Sequence, residues 1–102
     1  MLINNAGVVQ FDDAAGTVDE DVLALTITTN LLGPIRMSSA LIEHLKKQQT
    51  ATVINVSSVL GFVPLAMAAV YCSTKAAIHS YTLSMRYKLK GSSVTVLELV
   101  PP

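Results

Sequence analysis

Three short apolar runs rich in β-branched residues divide this chain of 102 residues; they lie at 1–7, 51–58 and 93–100. Each run is nearly continuous in apolar character and does not alternate between apolar and polar positions. That pattern is typical of strands buried on both faces of a parallel sheet. The segments between the runs are longer and carry helical signals. The chain is therefore predicted to have the order β-α-β-α-β and to form part of a doubly wound parallel-sheet α/β fold.

The first connecting segment opens with a helix-start signal, TVDE. Thr17 can cap the helix and Glu20 can answer it as a capping box. A helix is therefore predicted to start near Val18 and to continue to about residue 48. A bend is expected within it at Gly33-Pro34, because a proline removes an amide donor and crowds the preceding turn.

A second helix is predicted near 69–90, and Gly91 is expected to end it. Residues at alternating four- and three-residue steps form one stripe along this helix: Tyr71, Lys75, Ile78, Thr82, Met85 and Leu89. Tyr71 and Lys75 therefore share a face, one helical turn apart.

Composition narrows the class of protein. Hydrophobic residues make up 51% of the chain and charged residues 14%, which excludes an intrinsically disordered protein. Seven basic residues balance seven acidic ones, and no basic cluster indicates a nucleic-acid partner. No apolar run is long enough to span a membrane, and the start lacks a signal-peptide pattern. A cytoplasmic protein is expected, in agreement with a single cysteine, Cys72.

The residues that end or follow the predicted strands lie at the edge where parallel α/β sheets bind ligands, and the polar ones among them collect there. They are Asn4, Asn5 and Gly7, then Ser57 and Ser58, followed after the third strand by Pro101 and Pro102. Four side chains could meet at this edge: Asn30, Ser58, Tyr71 and Lys75. Taken alone, the spacing of Tyr71 and Lys75 is a weak pattern that favours a half-buried tyrosine beside a solvated lysine.

The pair also suits proton transfer. Hydride transfer between a carbinol carbon and a nicotinamide ring needs an acid or base for the oxygen-bound proton. A free tyrosine, with a pKa of about 10, is a poor base near neutrality, but a neighbouring cation favours the phenolate. Lys75 would supply that cation to Tyr71.

Four motifs, each on the element predicted for it, make the chain resemble the short-chain dehydrogenase/reductase family over nearly its whole length. They are NNAG at 4–7, the asparagine of TTNLLGPIR, VINVSS closing a strand and YCSTKAA opening a helix. In that family the catalytic serine precedes the tyrosine by thirteen residues, and 71 minus 13 gives Ser58, not Ser57. The resemblance implies a Rossmann-like fold and interconversion of an alcohol and a carbonyl compound with NAD or NADP.

Catalytic roles are also implied by the resemblance. Tyr71 would be the general acid/base, Lys75 would promote its ionisation and bind the cofactor ribose, and Ser58 would orient the substrate oxygen. Asn30 would help hold a water that links Lys75 to solvent. Two ordinary roles stay open: a strand-end serine can cap a turn, and a helical asparagine beside Gly33-Pro34 can satisfy a backbone group freed by the bend.

The NNAG motif resembles the family segment beneath the adenosine half of the cofactor. Asn5, Ala6 and Gly7 are therefore expected to bind cofactor. Gly7 would let the backbone approach the ligand closely, and Asn5 can tie neighbouring strands. An ordinary strand-to-loop turn would use the same residue types.

The chain also departs from the family pattern. Members begin with a strand and a glycine-rich pyrophosphate-binding turn, and no Gly-x-x-x-Gly-x-Gly occurs here. Residues 1–102 are expected to be a single partial NAD(P)-binding domain, its C-terminal catalytic half. Pro101-Pro102 stands where most members have Pro-Gly, which removes an amide donor. Together, ELVPP and YCSTKAAIHS resemble a bacterial subgroup named for D-alanine esterification of teichoic acids.

The same resemblance implies a substrate and an oligomeric state. A small-molecule alcohol or carbonyl substrate is expected, and the apolar stretch at 60–70 favours an apolar or bulky one. Family members commonly pair the two long helices, so a homodimer or homotetramer is expected. The alternative function is a truncated, non-catalytic interaction module. No metal site is expected, because His44 and His79 have no ligand partners at suitable spacing, and Cys72 is expected to pack.

Overall fold

The three strands form one parallel sheet in the order β1-β2-β3. In the computed structural model, which describes residues 1–102, the elements are β1 Leu2–Asn4, α1 Glu20–Ile27, a π-helical turn Thr28–Leu32, α2 Gly33–Lys46, β2 Ala51–Val56, two 3-10 turns Val59–Gly61 and Ala66–Ala68, α3 Ala69–Lys88 and β3 Val94–Leu99. Val53 pairs with Leu2 on one side and Val96 on the other. The predicted order and the parallel sheet are confirmed. No helix is long and apolar enough to cross a membrane.

Both long helical segments cover the same face of the sheet. The core joins residues of the three strands to α2 and α3, and consists of Leu2, Leu45, Ala51, Val53, Met85, Leu89, Val94 and Val96. On the opposite face, Ile3, Leu97 and Leu99 are 55%, 47% and 56% exposed. The prediction of burial on both faces is wrong for these positions. The strands are neighbours in chain order, and the two connections between them have the same handedness. Both connections therefore place their helices on the same face of the sheet.

A chain of buried amide hydrogen bonds runs through the core. Asn55 is completely buried; its Oδ1 accepts from Asn4 Nδ2 at 2.8 Å, and its Nδ2 donates to Thr82 Oγ1 at 3.1 Å. Asn4 Nδ2 also donates to Ser38 Oγ at 3.2 Å. Asn4 therefore ties β1 to β2, the contact expected of Asn5. The prediction that Asn4 faces the ligand edge is wrong, because its side chain lies between the sheet and the helices.

The first helix begins two residues later than predicted. Asp19 is its N-cap, and Oδ1 of this residue accepts from the amides of Asp21 at 3.0 Å and Val22 at 3.2 Å. The proposed capping box of Thr17 and Glu20 is wrong. An aspartate directly before the first helical turn caps it as well as a threonine does, and its charge suits the helix dipole.

Between α1 and α2 the helix widens into the π-helical turn. The Gly33 amide donates to the Thr28 carbonyl, a five-residue step, and Pro34, which has no amide hydrogen, follows at the start of α2. The irregularity expected at Gly33-Pro34 therefore lies in the turn immediately before them. Asn30 sits inside this widened turn.

The second long helix, α3, agrees with its predicted span. Gly91 follows it with a φ of +83°, a conformation that glycine adopts without strain. Five members of the predicted stripe are buried, and they are Lys75, Ile78, Thr82, Met85 and Leu89. The stripe faces the sheet, and Tyr71 stands half-buried at its amino-terminal end.

The start of α3 is capped by a side chain from far along the chain. The residue before the helix, Ala68, has no capping atom. Asp12 supplies one instead: its Oδ1 accepts from the Ala69 amide at 2.9 Å and its Oδ2 from the Val70 amide at 3.0 Å. A carboxylate at a helix N-terminus satisfies free amides and complements the dipole. Asp12 thus anchors the loop after β1 to the helix that carries Tyr71.

We expect Asp12→Ala to lower the free energy of unfolding by about 1–2 kcal/mol, the range for losing a helix cap. Asp13→Ala is the matched control, because its Oδ1 accepts only from the nearby Ala15 amide, at 2.9 Å, in an exposed turn. Urea titration followed by circular dichroism measures both. Equal effects of the two substitutions would contradict the role assigned to Asp12.

Candidate active site

Lys75 is a buried cation at the end of the sheet. The residue is 5% exposed, and its Nζ donates to the Val56 carbonyl at 3.1 Å. Neither ion pair in the chain includes it. Burial lowers the pKa of Lys75 below its ordinary value. The ammonium therefore depends on a neutral acceptor from the last residue of β2.

The Tyr71 ring lies beside this ammonium. Lys75 Nζ is 5.7 Å from the centroid of the ring, so the side chains share a face as the four-residue spacing predicted. The Tyr71 carbonyl accepts from Thr74 Oγ1 at 2.7 Å within the same helical turn. The arrangement sets a phenol next to a positive charge at the half-buried start of α3.

Ser58 follows β2 and begins the first 3-10 turn. It is 4% exposed, and its Oγ accepts from the Leu60 amide at 3.1 Å. The capping role that the sequence left open is therefore present. A serine hydroxyl that accepts still has its own hydrogen to donate, so capping does not prevent a contact with a ligand.

The turn that Ser58 begins is pressed against α3. A Cβ on Gly61 would lie 2.9 Å from both the Lys75 carbonyl carbon and the Ala76 amide nitrogen. Those atoms are backbone and cannot move aside. Gly61 therefore allows the Ser58 turn to approach the helix at the level of Lys75.

Asn30 is almost completely buried and binds the loop after β1. Its Oδ1 accepts from the Val8 amide at 2.8 Å, and its Nδ2 donates to the Val8 carbonyl at 2.7 Å. Nδ2 also lies 3.4 Å from Thr74 Oγ1 on α3. The alternative that this amide satisfies a helix group freed by a bend is wrong, because its backbone partners belong to Val8.

The loop after β1 completes the arrangement. A Cβ on Gly7 would lie 3.5 Å from Asn30 Oδ1 and 3.6 Å from Lys75 Nζ, so the backbone here passes close to both side chains. Asn5 and Ala6 precede it and are exposed at the same strand end. The structure thus brings the loop after β1, the end of β2, the π-helical turn and α3 together around Lys75.

A cluster beside Ser58 was not identified from the sequence. Ser57 Oγ donates to Glu98 Oε2 at 2.6 Å, and His79 Nδ1 lies 2.8 and 2.9 Å from the two carboxylate oxygens. Glu98 could have been noticed, since it is the only charged residue in the three strands. The cluster is not a hydrolytic triad, because the serine donates to the carboxylate and not to the imidazole.

The segment between the Ser58 turn and α3 presents apolar side chains to solvent. Phe62, Val63 and Met67 are 49%, 68% and 54% exposed. Cys72 packs beneath this segment, where its Sγ accepts from the Leu65 amide at 3.3 Å. No group of three or more His, Cys, Asp or Glu side chains gathers as metal ligands would.

The chain is similar in sequence to known proteins of one family. The sequence profile described as short chain dehydrogenase matches residues 1–102. An uncharacterized oxidoreductase of Bacillus subtilis, DltE, is 42% identical over all of this chain and 41% of its own length. An NADP-dependent 3-hydroxy acid dehydrogenase of Schizosaccharomyces pombe is 31% identical over 99% of this chain and 39% of its own length.

A solved structure is similar as well. The closed form of a serine dehydrogenase complexed with NADP+ superimposes with a TM-score of 0.91 and 30% identity, over 98% of this chain and 40% of that one. The chain spans about two fifths of the length of the curated relatives it matches. The profile match over every residue, together with these relatives, shows that the chain belongs to the short-chain dehydrogenase family of oxidoreductases.

Proposed function

We propose that this chain carries the proton-transfer groups of an NAD- or NADP-dependent enzyme that interconverts an alcohol and a carbonyl compound. The supporting observation is the buried Lys75 ammonium, held by the Val56 carbonyl at 3.1 Å beside the Tyr71 ring. Family membership supports the reaction class, because named relatives are dehydrogenases and reductases. Residues 1–102 would be the catalytic half of a Rossmann-like, NAD(P)-binding domain.

Tyr71 would exchange the proton of the substrate oxygen. The Lys75 ammonium lies 5.7 Å from the centroid of the Tyr71 ring and has no carboxylate partner to neutralise its charge. In the oxidation direction the phenolate would take the hydroxyl proton, and in the reduction direction the phenol would return it. The half-buried position of Tyr71 leaves its ring accessible to a small molecule.

Ser58 would hold the substrate oxygen. Its Oγ accepts from the Leu60 amide, which fixes the oxygen atom and leaves the hydroxyl hydrogen to donate. A donor fixed in this way can stabilise charge that develops on a carbonyl oxygen. The exposed apolar side chains of Phe62, Val63 and Met67 on the adjoining segment favour an apolar or bulky substrate.

Asn30 would act through the loop after β1 and through Lys75. The two hydrogen bonds from its side chain to Val8 fix the path of this loop, so that Gly7 stays next to the ammonium. In the family this position helps to hold a water that leads from the lysine to solvent, and the proximity of both side chains to Gly7 supports such a path here.

The residues around Lys75 fit a nicotinamide cofactor. A lysine ammonium has three hydrogens, and only one hydrogen bond of Nζ, to Val56, is made within the chain. A Cβ at Gly7 would occupy space next to Nζ, and glycine leaves that space open. Asn5, Ala6, Gly7, Tyr71 and Lys75 would hold the cofactor, which would supply or accept the hydride.

We expect Tyr71→Phe to lower kcat by about 10² to 10⁴, the usual contribution of a general acid or base. The test uses the longest polypeptide that the reading frame encodes, with a panel of ketones and aldehydes and nicotinamide absorbance as readout. Tyr87→Phe is the control, because Tyr87 is 72% exposed at the other end of α3. Unchanged turnover in Tyr71→Phe would remove this residue from the mechanism.

We expect the buried Lys75 ammonium to lower the free energy of unfolding at neutral pH, so that its presence serves the reaction and not the stability of the fold. Because burial lowers the pKa of Lys75 in the folded chain, the unfolded chain binds more protons between that lowered value and 10.5. The free energy of unfolding contributed by this residue therefore rises with pH across that window. Below the window the folded chain bears the full cost of the buried charge.

We expect Lys75→Met to be at least as stable as the wild type at pH 7 while losing turnover, and to lack this pH-dependent rise. Lys88→Met, at an exposed position of the same helix, is the control. Urea denaturation at intervals from neutral pH to the ordinary lysine pKa of 10.5 measures the difference. A Lys75→Met protein that is markedly less stable at pH 7 would make the ammonium a structural element.

A non-catalytic interaction module is the second candidate. Apolar side chains are exposed on the helices, among them Leu25, Met37 and Leu83 at 49%, 49% and 46%. Members of the family commonly pair such helices in homodimers or homotetramers. Sedimentation and a titration with NADH and NADPH separate the two candidates. Saturable cofactor binding by the 102-residue chain is expected for the enzyme, whereas self-association without cofactor binding would favour the module.

A further inference from the structure

Glu98 is a buried carboxylate in a strand that is otherwise uncharged. Its side chain is 8% exposed, and it pairs in register with Asn55 on the helix-covered face of the sheet. Burying a carboxylate is costly unless it receives hydrogen bonds. The Glu98 carboxylate therefore needs hydrogen-bond donors, and the structure supplies two of them from different parts of the chain.

Those partners are the segment that carries Ser58 and the helix that carries Tyr71. Ser57 Oγ donates to Glu98 Oε2 at 2.6 Å. His79 Nδ1 is 2.8 Å from Oε1, and because a carboxylate accepts, this ring nitrogen bears the hydrogen. One side chain on β3 thus joins the end of β2 to α3.

His79 lies beside the stripe of α3 that faces the sheet. It lies four residues after Lys75, which itself lies four residues after Tyr71, so the three side chains succeed one another along one face of α3. The His79 ring also packs edge-on against Phe62, with 4.5 Å between the ring centroids. The imidazole is therefore held between the carboxylate and the apolar segment that follows Ser58.

The backbone on each side of Ser58 is already bonded to the last residue of β3 and to the segment that follows it. The Ser57 amide donates to the Leu99 carbonyl at 2.9 Å, and the Val59 amide donates to the Pro101 carbonyl at 3.0 Å. These bonds fix Ser58 relative to β3 alone. The bonds from Glu98 to Ser57 and His79 add a second side-chain link between this segment and α3, beside the bond from Lys75 Nζ to the Val56 carbonyl.

We propose that Glu98 and His79 are positioning residues that fix Ser58 relative to the Tyr71–Lys75 stripe. The proposal rests on the proposed function, since it assigns these residues to the same reaction. Neither would touch the substrate. Removing the carboxylate would let the Ser58 turn shift against α3, and small misplacements of a substrate-orienting group cost up to about 10²-fold in rate.

A double-mutant cycle tests this inference in the longest polypeptide of the reading frame. We expect Glu98→Ala to lower kcat by about 10- to 100-fold with a smaller change in KM. In a Ser58→Ala background the same change should cost less than about twofold, because Glu98 acts through Ser58. Glu98→Gln should stay within about threefold of the wild type, since its amide can accept from His79 and donate to Ser57.

Equal losses from Glu98→Ala with and without Ser58 would overturn the proposal, and so would full activity of Glu98→Ala. Thr95→Ala, at an exposed position of the same strand, is the matched control. If the wild type turns over no carbonyl compound, the proposed function fails, and that result is read separately from the cycle.

A second measurement needs no turnover. Hydrogen exchange of the 102-residue chain should show faster exchange at the Val59 and Gly61 amides in Glu98→Ala, by about tenfold or more, with little change in α2. The Val59 amide bonds to the Pro101 carbonyl, two residues after β3, and the Gly61 amide bonds to the Ser58 carbonyl. Uniform acceleration over the chain would indicate general destabilisation, and no acceleration would show that Glu98 does not hold the turn; either result contradicts the proposal.

Discussion

The hydrogen bond from Lys75 to the Val56 carbonyl is the contact around which the candidate active site is built. It places a positive charge in a buried position without any carboxylate to neutralise it, and so makes that charge available to its other neighbours. Because the acceptor is the last residue of β2, the bond also fixes α3 against the strand that leads to Ser58. Tyr71, the Ser58 turn and the loop around Gly7 all lie around this one contact between helix and strand.

The remaining polar contacts of the core select the strand register. Asn4 and Asn55 are paired neighbours, and their amides bond to each other and then to Ser38 and Thr82 on the covering helices. A slip of one residue would turn Asn55 to the helix-free face and leave its partners unsatisfied in the interior. An apolar core of similar volume would tolerate such a slip more easily. The amide chain therefore gives the short β1 strand a unique partner position.

Much of this could be predicted from local sequence pattern. The apolar runs gave the strands, the four-residue spacing put Tyr71 beside Lys75, and Gly91 ended α3 with a positive φ. Contacts between distant segments could not be predicted, because a carboxylate such as Asp12 that caps a helix fifty-seven residues away leaves no spacing signal. The helix cap at Asp19 was missed for a different reason, since several acceptors stand within three residues of one another. Glu98 was visible as a lone charge, but its partners were not.

The sequence pattern also failed to predict which faces of the sheet the helices cover. Apolar residues on both faces of β1 and β3 predicted burial on both, whereas only one face receives helices within these residues. Gly61 has a consequence of a different kind. A Cβ there would lie 2.9 Å from the main chain of α3, so every substitution at this position forces the Ser58 turn away from the helix that carries Tyr71 and Lys75. A variant at Gly61 would therefore separate Ser58 from Tyr71 and Lys75 while leaving all three side chains chemically unchanged.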